Sequence, residues 1–274
     1  MLRSFLYVPG DDLGRLTKAL ARGADALIVD LEDGVAFDNK VAARSVVSEF
    51  LESKEDTWPS IWVRLNPGNL LVSDLHAIPI NKLDGVVLAK TDSVSDIDNL
   101  VNELGNGSDV PVMALVESGL GVTNLLEIVN HKSVSFLQVG EADLAADLGI
   151  TPDNHSTQFN YVRQQAVVAC AATKQNAPVA PVSTNFRDLD LFHESTQSLA
   201  DMGYFGRACI HPAQIEIVNS VFTSTPEQIE KAIDTMNRFE AATAQGLGVC
   251  VDADGRLVDE AIIRSARKVL ANQR

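Results

Sequence analysis

The chain has 274 residues, 46% of them apolar and 22% charged, a balance that suits one large soluble domain with a substantial core. Its formal net charge of −15 excludes nucleic acid as a partner, because a phosphate backbone needs a basic face; a small polyanion could still be held by a few local cations. No run of about eighteen apolar residues occurs, so no transmembrane helix and no membrane partner is expected.

Residues 1–10 form a short apolar stretch without a basic leader or a cleavage site, and they read as a strand rather than a signal peptide. The first strand covers 4–8. A helix follows at 12–23, with Leu13, Leu16, Ala19 and Leu20 on one side and Gly23 closing it. Further strands are predicted at 26–31, 61–65, 85–89, 110–116, 134–139, 178–182 and 208–210. Helices are predicted at 40–51, 94–104, 120–130 and 189–202. The strands are rich in Val, Ile and Leu and mostly not alternating, as expected where both faces of a parallel sheet are buried. Eight such strands with intervening helices predict an α/β fold, a TIM (β/α)8 barrel. An open doubly wound sheet is the alternative; against it, the first strand ends in Pro9-Gly10-Asp11 and no GxGxxG follows.

Beyond His211 the pattern changes. A long helix is predicted at 226–244, a turn or hairpin at 246–255 and a last helix at 258–270. This gives a catalytic barrel over 1–224 and a C-terminal helical and hairpin lid segment over 225–274. The last helix has an apolar face at Ile262, Ile263, Ala266, Val269 and Leu270, which needs a surface to cover. Cys170, Cys209 and Cys250 lie far apart without metal-ligand spacing, and read as reduced thiols of a cytoplasmic protein.

The polar residues nearest the C-terminal end of each strand are Glu32 and Asp33, Arg64 and Asn66, Lys90, Glu117 and Ser118, Glu141 and Asp143, and His211. In a barrel these ends meet on one face, where barrel enzymes place their chemistry. Carboxylates gathered there repel one another unless a cation sits among them. Glu117 and Asp143, on neighbouring strands, could share one Mg2+, which takes one or two carboxylates and leaves its other positions to water and substrate. Taken singly, each could equally be a helix cap or an ion-pair partner. Arg64 supplies a planar fork for a substrate carboxylate, or neutralises Glu32 or Asp33. Lys90 reads as an ion pair with the rim carboxylates in preference to a Schiff-base nucleophile, and His211, before Pro212, as a residue that orders a loop. Arg15, Lys18 and Arg22 share a helix face that is either solvated or a cationic patch.

Several segments resemble one known family. Arg3-Ser4-Phe5-Leu6-Tyr7-Val8-Pro9-Gly10-Asp11, Asp30-Leu31-Glu32-Asp33-Gly34-Val35, Val63-Arg64-Leu65-Asn66-Pro67, Leu115-Val116-Glu117-Ser118, Ile210-His211-Pro212-Ala213-Gln214 and Val258-Asp259 are similar, in order and spacing, to motifs of the citrate lyase β-subunit-like (HpcH/HpaI aldolase) proteins. That family includes the citrate lyase β subunit, citramalyl-CoA lyases and malyl-CoA lyases. The resemblance implies a TIM barrel, Mg2+ on Glu117 and Asp143, and the substrate carboxylate on Arg64. It implies Glu32 and Asp33 holding metal-bound water, Lys18 near coenzyme A, and Asp259 as the acid–base group. It also implies a homo-oligomer, a trimer or a multiple, whose C-terminal segment covers a neighbour's site. Gly140-Glu141-Ala142-Asp143 departs from the common Gly-Ala-Glu-Asp, which keeps Asp143 but moves the glutamate to the other side of the strand. Ala89 before Lys90, and Glu260-Ala261 after Asp259, each stand where proline is usual.

The activity implied is Mg2+-dependent cleavage of a 3-hydroxyacyl thioester, on coenzyme A or an acyl-carrier protein, into an acetyl thioester and a 2-keto acid. Two alternatives remain open at this point: a 3-hydroxydiacyl-CoA thioesterase, and a citrate lyase β subunit acting only with an acyl-carrier protein partner.

Overall fold

The computed structural model describes residues 2–105 and 108–273. All eight predicted strands are present: β1 (Ser4–Pro9), β2 (Ala26–Asp30), β3 (Ser60–Leu65), β4 (Gly85–Leu88), β5 (Val112–Val116), β6 (Val134–Val139), β7 (Val179–Ala180) and β8 (Gly206–Cys209). Each pairs in parallel with its sequence neighbour, and β8 pairs with β1, so the sheet closes into a TIM barrel. Around it run α1 (Leu13–Ala19), α2 (Lys40–Glu52), α3 (Asn69–Ala77), α4 (Val94–Leu104), α5 (Gly119–Thr123), α6 (Leu125–Val129), α7 (Glu141–Leu148), α8 (Asn160–Thr173), α9 (Leu189–Met202) and α10 (Ile215–Val221). Helices α3, α7, α8 and α10 were not expected from the sequence. Helix α7 follows β6 without a polar linker, and α8 is buried at Val162, Arg163, Ala166, Ala169 and Cys170, which weakens its amphipathic signal.

Strand alternation decides what fills the barrel. Phe5, Ala26, Ile28, Trp62, Val87, Met113 and Leu115 form one buried cluster, with Phe136 packed against it. The Trp62 ring meets Phe136 edge-on, with centroids 5.5 Å apart. Gly85 on β4 makes room for it, because a Cβ there would lie 2.2 Å from the indole. Two residues further along the same inward series stand Tyr7, Asp30, Arg64, Glu117 and Gln138. The alternation that packs the floor therefore carries polar groups to the C-terminal mouth.

The chain divides into two compact units, Leu2–Asn219 and a second that begins at Ser220. The second contains α11 (Pro226–Ala244), the antiparallel hairpin β9 (Cys250–Val251) and β10 (Leu257–Val258), and α12 (Glu260–Ala271). Helix α12 packs on α11, and Ser224 Oγ donates to the Val269 carbonyl at 2.8 Å. Ile263 and Ala266 are buried, whereas Ile262 remains 45% exposed. Among the described residues no helix is long and apolar enough to cross a membrane.

Gly85→Ala is expected to destabilise the chain by ~1–3 kcal/mol, because overpacking must displace the buried indole. Urea unfolding followed by Trp fluorescence checks this, and an unchanged midpoint would remove Gly85 from the packing argument.

Candidate active site

Asp30 ends β2 and sits beside Arg64 of β3 in the strand register. Arg64 Nε and Nη2 donate to the two Asp30 carboxylate oxygens at 2.7 and 2.6 Å. Backbone N–H groups of Glu32 and Gly34 also donate to Asp30, both at 2.8 Å. Asp30 is thus fully occupied, and it holds the guanidinium plane fixed. Arg64 Nη1 lies 3.0 Å from Glu32 Oε2, and Lys90 Nζ lies 2.7 Å from Glu32 Oε1. Asp33 is 3.8 Å from the same ammonium. The ion-pair reading of Lys90 is what the structure shows. Arg64 combines both readings of it: it neutralises Glu32 as well as Asp30, yet still lines the cavity and retains one hydrogen on each terminal nitrogen.

Lys90 adopts a left-handed backbone, φ 53°, and its N–H donates to Glu117 Oε2 at 3.0 Å. Glu117 ends the inward series of β5 and is only 6% exposed. Gly140 lets it stand there, since a Cβ at 140 would lie 2.6 Å from Glu117 Oε1. Asp143 lies in the first turn of α7 and faces the same cavity. Burial pushes the Glu117 carboxyl up to about 7, and the Asp143 charge adds to the rise against the opposing Lys90 N–H and Arg64.

A cavity of about 590 Å³ opens here, lined in part by Tyr7, Asp33, Arg64, Glu117, Gln138 and Asp143. The Tyr7 hydroxyl donates to Gln138 Oε1 at 2.9 Å, leaving the Gln138 amide hydrogens for the cavity. The Arg64 guanidinium lies 5.1 Å over the Tyr7 ring. Sequence reasoning missed Asp30, Tyr7 and Gln138 as site residues. It read polar residues only after each strand ended, whereas these three lie within strands on the inward parity.

Other candidate residues stand elsewhere. Glu32 is buried beneath the rim with both oxygens paired. Lys18 is exposed on α1. Asp259 belongs to the second unit, where it caps α12 by accepting from Ala261 N–H and Ile262 N–H at 2.9 and 3.1 Å. His211 stacks on Phe186 at 5.1 Å and accepts from Ala213 N–H, ordering the loop after β8. Glu141 forms a bidentate pair with Arg163 of α8 at 2.6 and 2.8 Å.

The rim acids therefore fall into two groups. Asp30, Glu32, Asp33 and Glu141 each face a cationic side chain within 4 Å, and among the described residues Glu117 and Asp143 face none. Among the described residues no three acidic, His or Cys side chains form a closed metal cage. Two oxygen donors without a counter-ion beside an open cavity fit Mg2+, whose remaining positions go to water and substrate.

A closed parallel barrel with this charged mouth is the architecture of a barrel enzyme. The family model described as HpcH/HpaI aldolase/citrate lyase matches residues 3–212. The chain is 34% identical over 274 residues to a (3S)-malyl-CoA thioesterase of Cereibacter sphaeroides, covering 98% of this chain and 93% of that protein. It is 29% identical to the citrate lyase subunit beta of Leuconostoc mesenteroides, covering 98% and 92%. The solved structure of CitE from Mycobacterium tuberculosis in complex with magnesium, acetoacetate and coenzyme A matches with a TM-score of 0.81 at 26% identity, covering 98% and 97%. The chain belongs to the HpcH/HpaI aldolase/citrate lyase family, and it is an enzyme of that family.

Mg2+ binding should be proton-linked. With the carboxyl raised to about 7, metal-free Glu117 keeps its proton at mildly acidic pH, and a metal must displace it. Apparent affinity should fall about tenfold per pH unit below that value and level off above it. The same raised value means the folded chain holds a proton that the unfolded chain has lost. Glu117's contribution to stability is therefore present at low pH and declines as pH rises towards 7. Calorimetric Mg2+ titration from about pH 5.5 to about pH 8.5 tests the linkage; a pH-independent affinity would contradict it.

Glu117→Gln and Asp143→Ala should each abolish Mg2+-dependent turnover and leave the melting temperature of the metal-free protein within a few degrees. Wild-type metal response in either variant would remove these two residues as ligands.

Proposed function

We propose that this chain is a Mg2+-dependent carbon–carbon lyase, cleaving a malyl-, citramalyl- or citryl-type 3-hydroxyacyl thioester into an acetyl thioester and a 2-keto acid. The observation that carries the reading is the pair of rim carboxylates without a cation, Glu117 and Asp143, facing the cavity that Arg64 also lines. Mg2+ held by those two would lower the pKa of the substrate hydroxyl and fix its neighbouring carboxylate. Arg64, immobilised by Asp30, offers its two remaining hydrogens to that carboxylate. Gln138, oriented by Tyr7, offers its amide hydrogens to a further substrate oxygen. Glu32 and Asp33 hold Lys90, and would hold metal-bound water at the rim. In the reaction the hydroxyl gives its proton to water, the Cα–Cβ bond breaks with its electron pair passing into a thioester enolate, and the former hydroxyl carbon becomes the keto carbon. The enolate carbon then takes a proton from Asp259. Asp259 comes from a neighbouring copy in a homo-oligomer, with the segment from 225 onward covering that copy's site. Lys18 lies towards the coenzyme A or carrier-protein arm. A reducing cytoplasmic setting agrees with three free cysteines, of which Cys170 and Cys209 are buried.

The likeness to a (3S)-malyl-CoA thioesterase favours a second reading, in which the same grip on the substrate leads to hydrolysis. Products separate the two. Incubation of malyl-, citramalyl- and citryl-thioesters with Mg2+ should release keto acid, read by a coupled reductase, without free thiol. Free thiol and hydroxydiacid without keto acid would establish hydrolysis, and neither product would overturn the site assignment. Turnover of free acyl-CoA by the isolated chain would argue against a subunit that acts only with a carrier protein.

Arg64→Lys should lower kcat/KM about tenfold to a thousandfold although the charge is retained, because lysine cannot span Asp30 and a substrate carboxylate together. Near-normal kinetics would reduce Arg64 to a counter-ion. Arg64→Ala and Asp259→Asn should each be inactive alone and recover activity when co-refolded, since mixed oligomers restore sites with both residues intact. No recovery despite subunit exchange, verified by mass spectrometry, would place Asp259 outside a neighbour's site.

A further inference from the structure

A second cavity, about 380 Å³, lies beyond the reaction cavity and is lined in part by Glu141, Arg163, Ser183, Asn185, Ser195 and Arg207. Arg207 belongs to β8 but has the parity opposite to Ala208, so it points outward from the barrel towards α9. It is 3% exposed. Its Nε donates to the Pro181 carbonyl at 3.0 Å, and its Nη1 donates to Ser195 Oγ, Thr196 Oγ1 and the Phe192 carbonyl at 2.9, 2.6 and 3.3 Å. The guanidinium also lies 4.2 Å over the Phe192 ring. All of these partners are neutral. They satisfy donors and leave the charge uncancelled.

No carboxylate among the described residues comes within ion-pair distance of Arg207. Two acids share its cavity: Glu141 has both oxygens on Arg163, and the Asp153 carboxylate accepts from the His155 N–H, Thr157 and Gln158. The Arg207 Nη2 donates to none of the described residues and, unlike Arg44 Nη2, is not shut away from the surface. Burial lowers the guanidinium to about 10, the direction expected of a cation without a counter-charge. An apolar side chain at this place would pack without that cost, so an unpaired buried arginine beside a cavity points to a ligand.

We propose that this cavity is a second binding site, taking a small carboxylate anion on the Arg207 guanidinium. Charge selects the class. Arg163 and Glu141 neutralise each other and Asp153 is turned to Thr157 and Gln158, so the single unpaired guanidinium suits a singly charged anion rather than a multiply charged phosphate. Size agrees, because 380 Å³ holds a short-chain acid, and Phe159 and Leu191 give its alkyl end an apolar wall. The two cavities share Glu141, Ala142, Val182 and Thr184, so an acid bound here sits against the wall of the reaction site. The site needs no metal and does not depend on which reaction the enzyme catalyses.

The test is thermal melting of the full chain in chelator, with sodium acetate or propionate exchanged for sodium chloride at constant ionic strength. The wild-type melting temperature should rise by several degrees and saturate. Arg207→Met should melt higher than wild type in chloride and lose the carboxylate response. Ala145→Leu, which keeps the arginine but fills part of the cavity, should weaken the response and decides the matter if Arg207→Met fails to fold. Asp143→Asn should respond as wild type does, because the anion is not at the reaction site. No carboxylate-specific rise in wild type, an equal rise in Arg207→Met or in Ala145→Leu, or loss of the rise in Asp143→Asn would overturn the proposal.

Discussion

The Asp30–Arg64 ion pair is the contact on which the rest of the rim depends. Arg64 stands in the same inward layer as Glu117, and its charge opposes the rise of the Glu117 carboxyl. Left free, a guanidinium there would swing onto the unpaired acid and cancel the field that a divalent cation needs. Asp30 prevents this by taking the Nε–Nη2 edge from the adjacent register position. Nη1 alone then meets Glu32, Glu32 holds the Lys90 ammonium, and the Lys90 backbone N–H meets Glu117. One chain of contacts thus runs from β2 to β5 and keeps Arg64 and the Lys90 ammonium away from Glu117 and Asp143. Buried pairs of this kind add little net stability, since desolvation offsets most of the attraction. Their effect here is positional.

The loop after β2 is held as firmly as the strands. Gly34 closes against Asp30, where a Cβ would lie 2.3 Å from Oδ2, so the turn that presents Asp33 is built on the absence of a side chain. Lys40 Nζ donates to the Leu31 and Glu32 carbonyls, both at 2.8 Å. Asn66 Nδ2 donates to the Leu31 carbonyl at 2.7 Å, and Asn66 is itself fixed by Asp74, which pairs with Arg44 at 2.7 Å. These residues supply no chemistry. They occupy the carbonyls and carboxylates that would otherwise compete for Arg64 and Lys90, and so leave the pattern of paired and unpaired acids unambiguous.

The barrel was legible because eight Val/Ile/Leu-rich runs, buried on both faces, recur at helix-sized intervals. The rim was legible in part for the same reason: a polar residue at a strand's end has few places to go. Glu117, Asp143, Arg64 and Lys90 were found that way, and the structure brings them together around one mouth. Asp30, Tyr7 and Gln138 were not, because a strand buried on both faces hides its parity in sequence. Only the closed sheet shows that Tyr7 follows Phe5 inward while Leu6 points out to the helices. Helix α8 was missed for a related reason, since Arg163 within it looks like a solvated position until Glu141 is seen opposite.

The departure at 140–143 can now be given a physical meaning. Glu141 opens α7 and turns to Arg163, so the displaced carboxylate is neutralised from the barrel's helical layer although it still borders the mouth. The mouth is therefore sparing in chemistry. Among the described residues lining it none is Cys, His or Ser, and its one aliphatic hydroxyl is Thr184. Direct hydrolysis would bring water to the thioester carbonyl in a cavity whose walls include Leu115, Val139, Val182 and Ile210. Cleavage between carbons asks less of the protein. Both electrons of the broken bond stay on the substrate, and the residues need only hold a carboxylate and a hydroxyl still while one proton leaves and another arrives. An immobilised arginine, two acids without a cation among the described residues and an oriented amide are suited to that task.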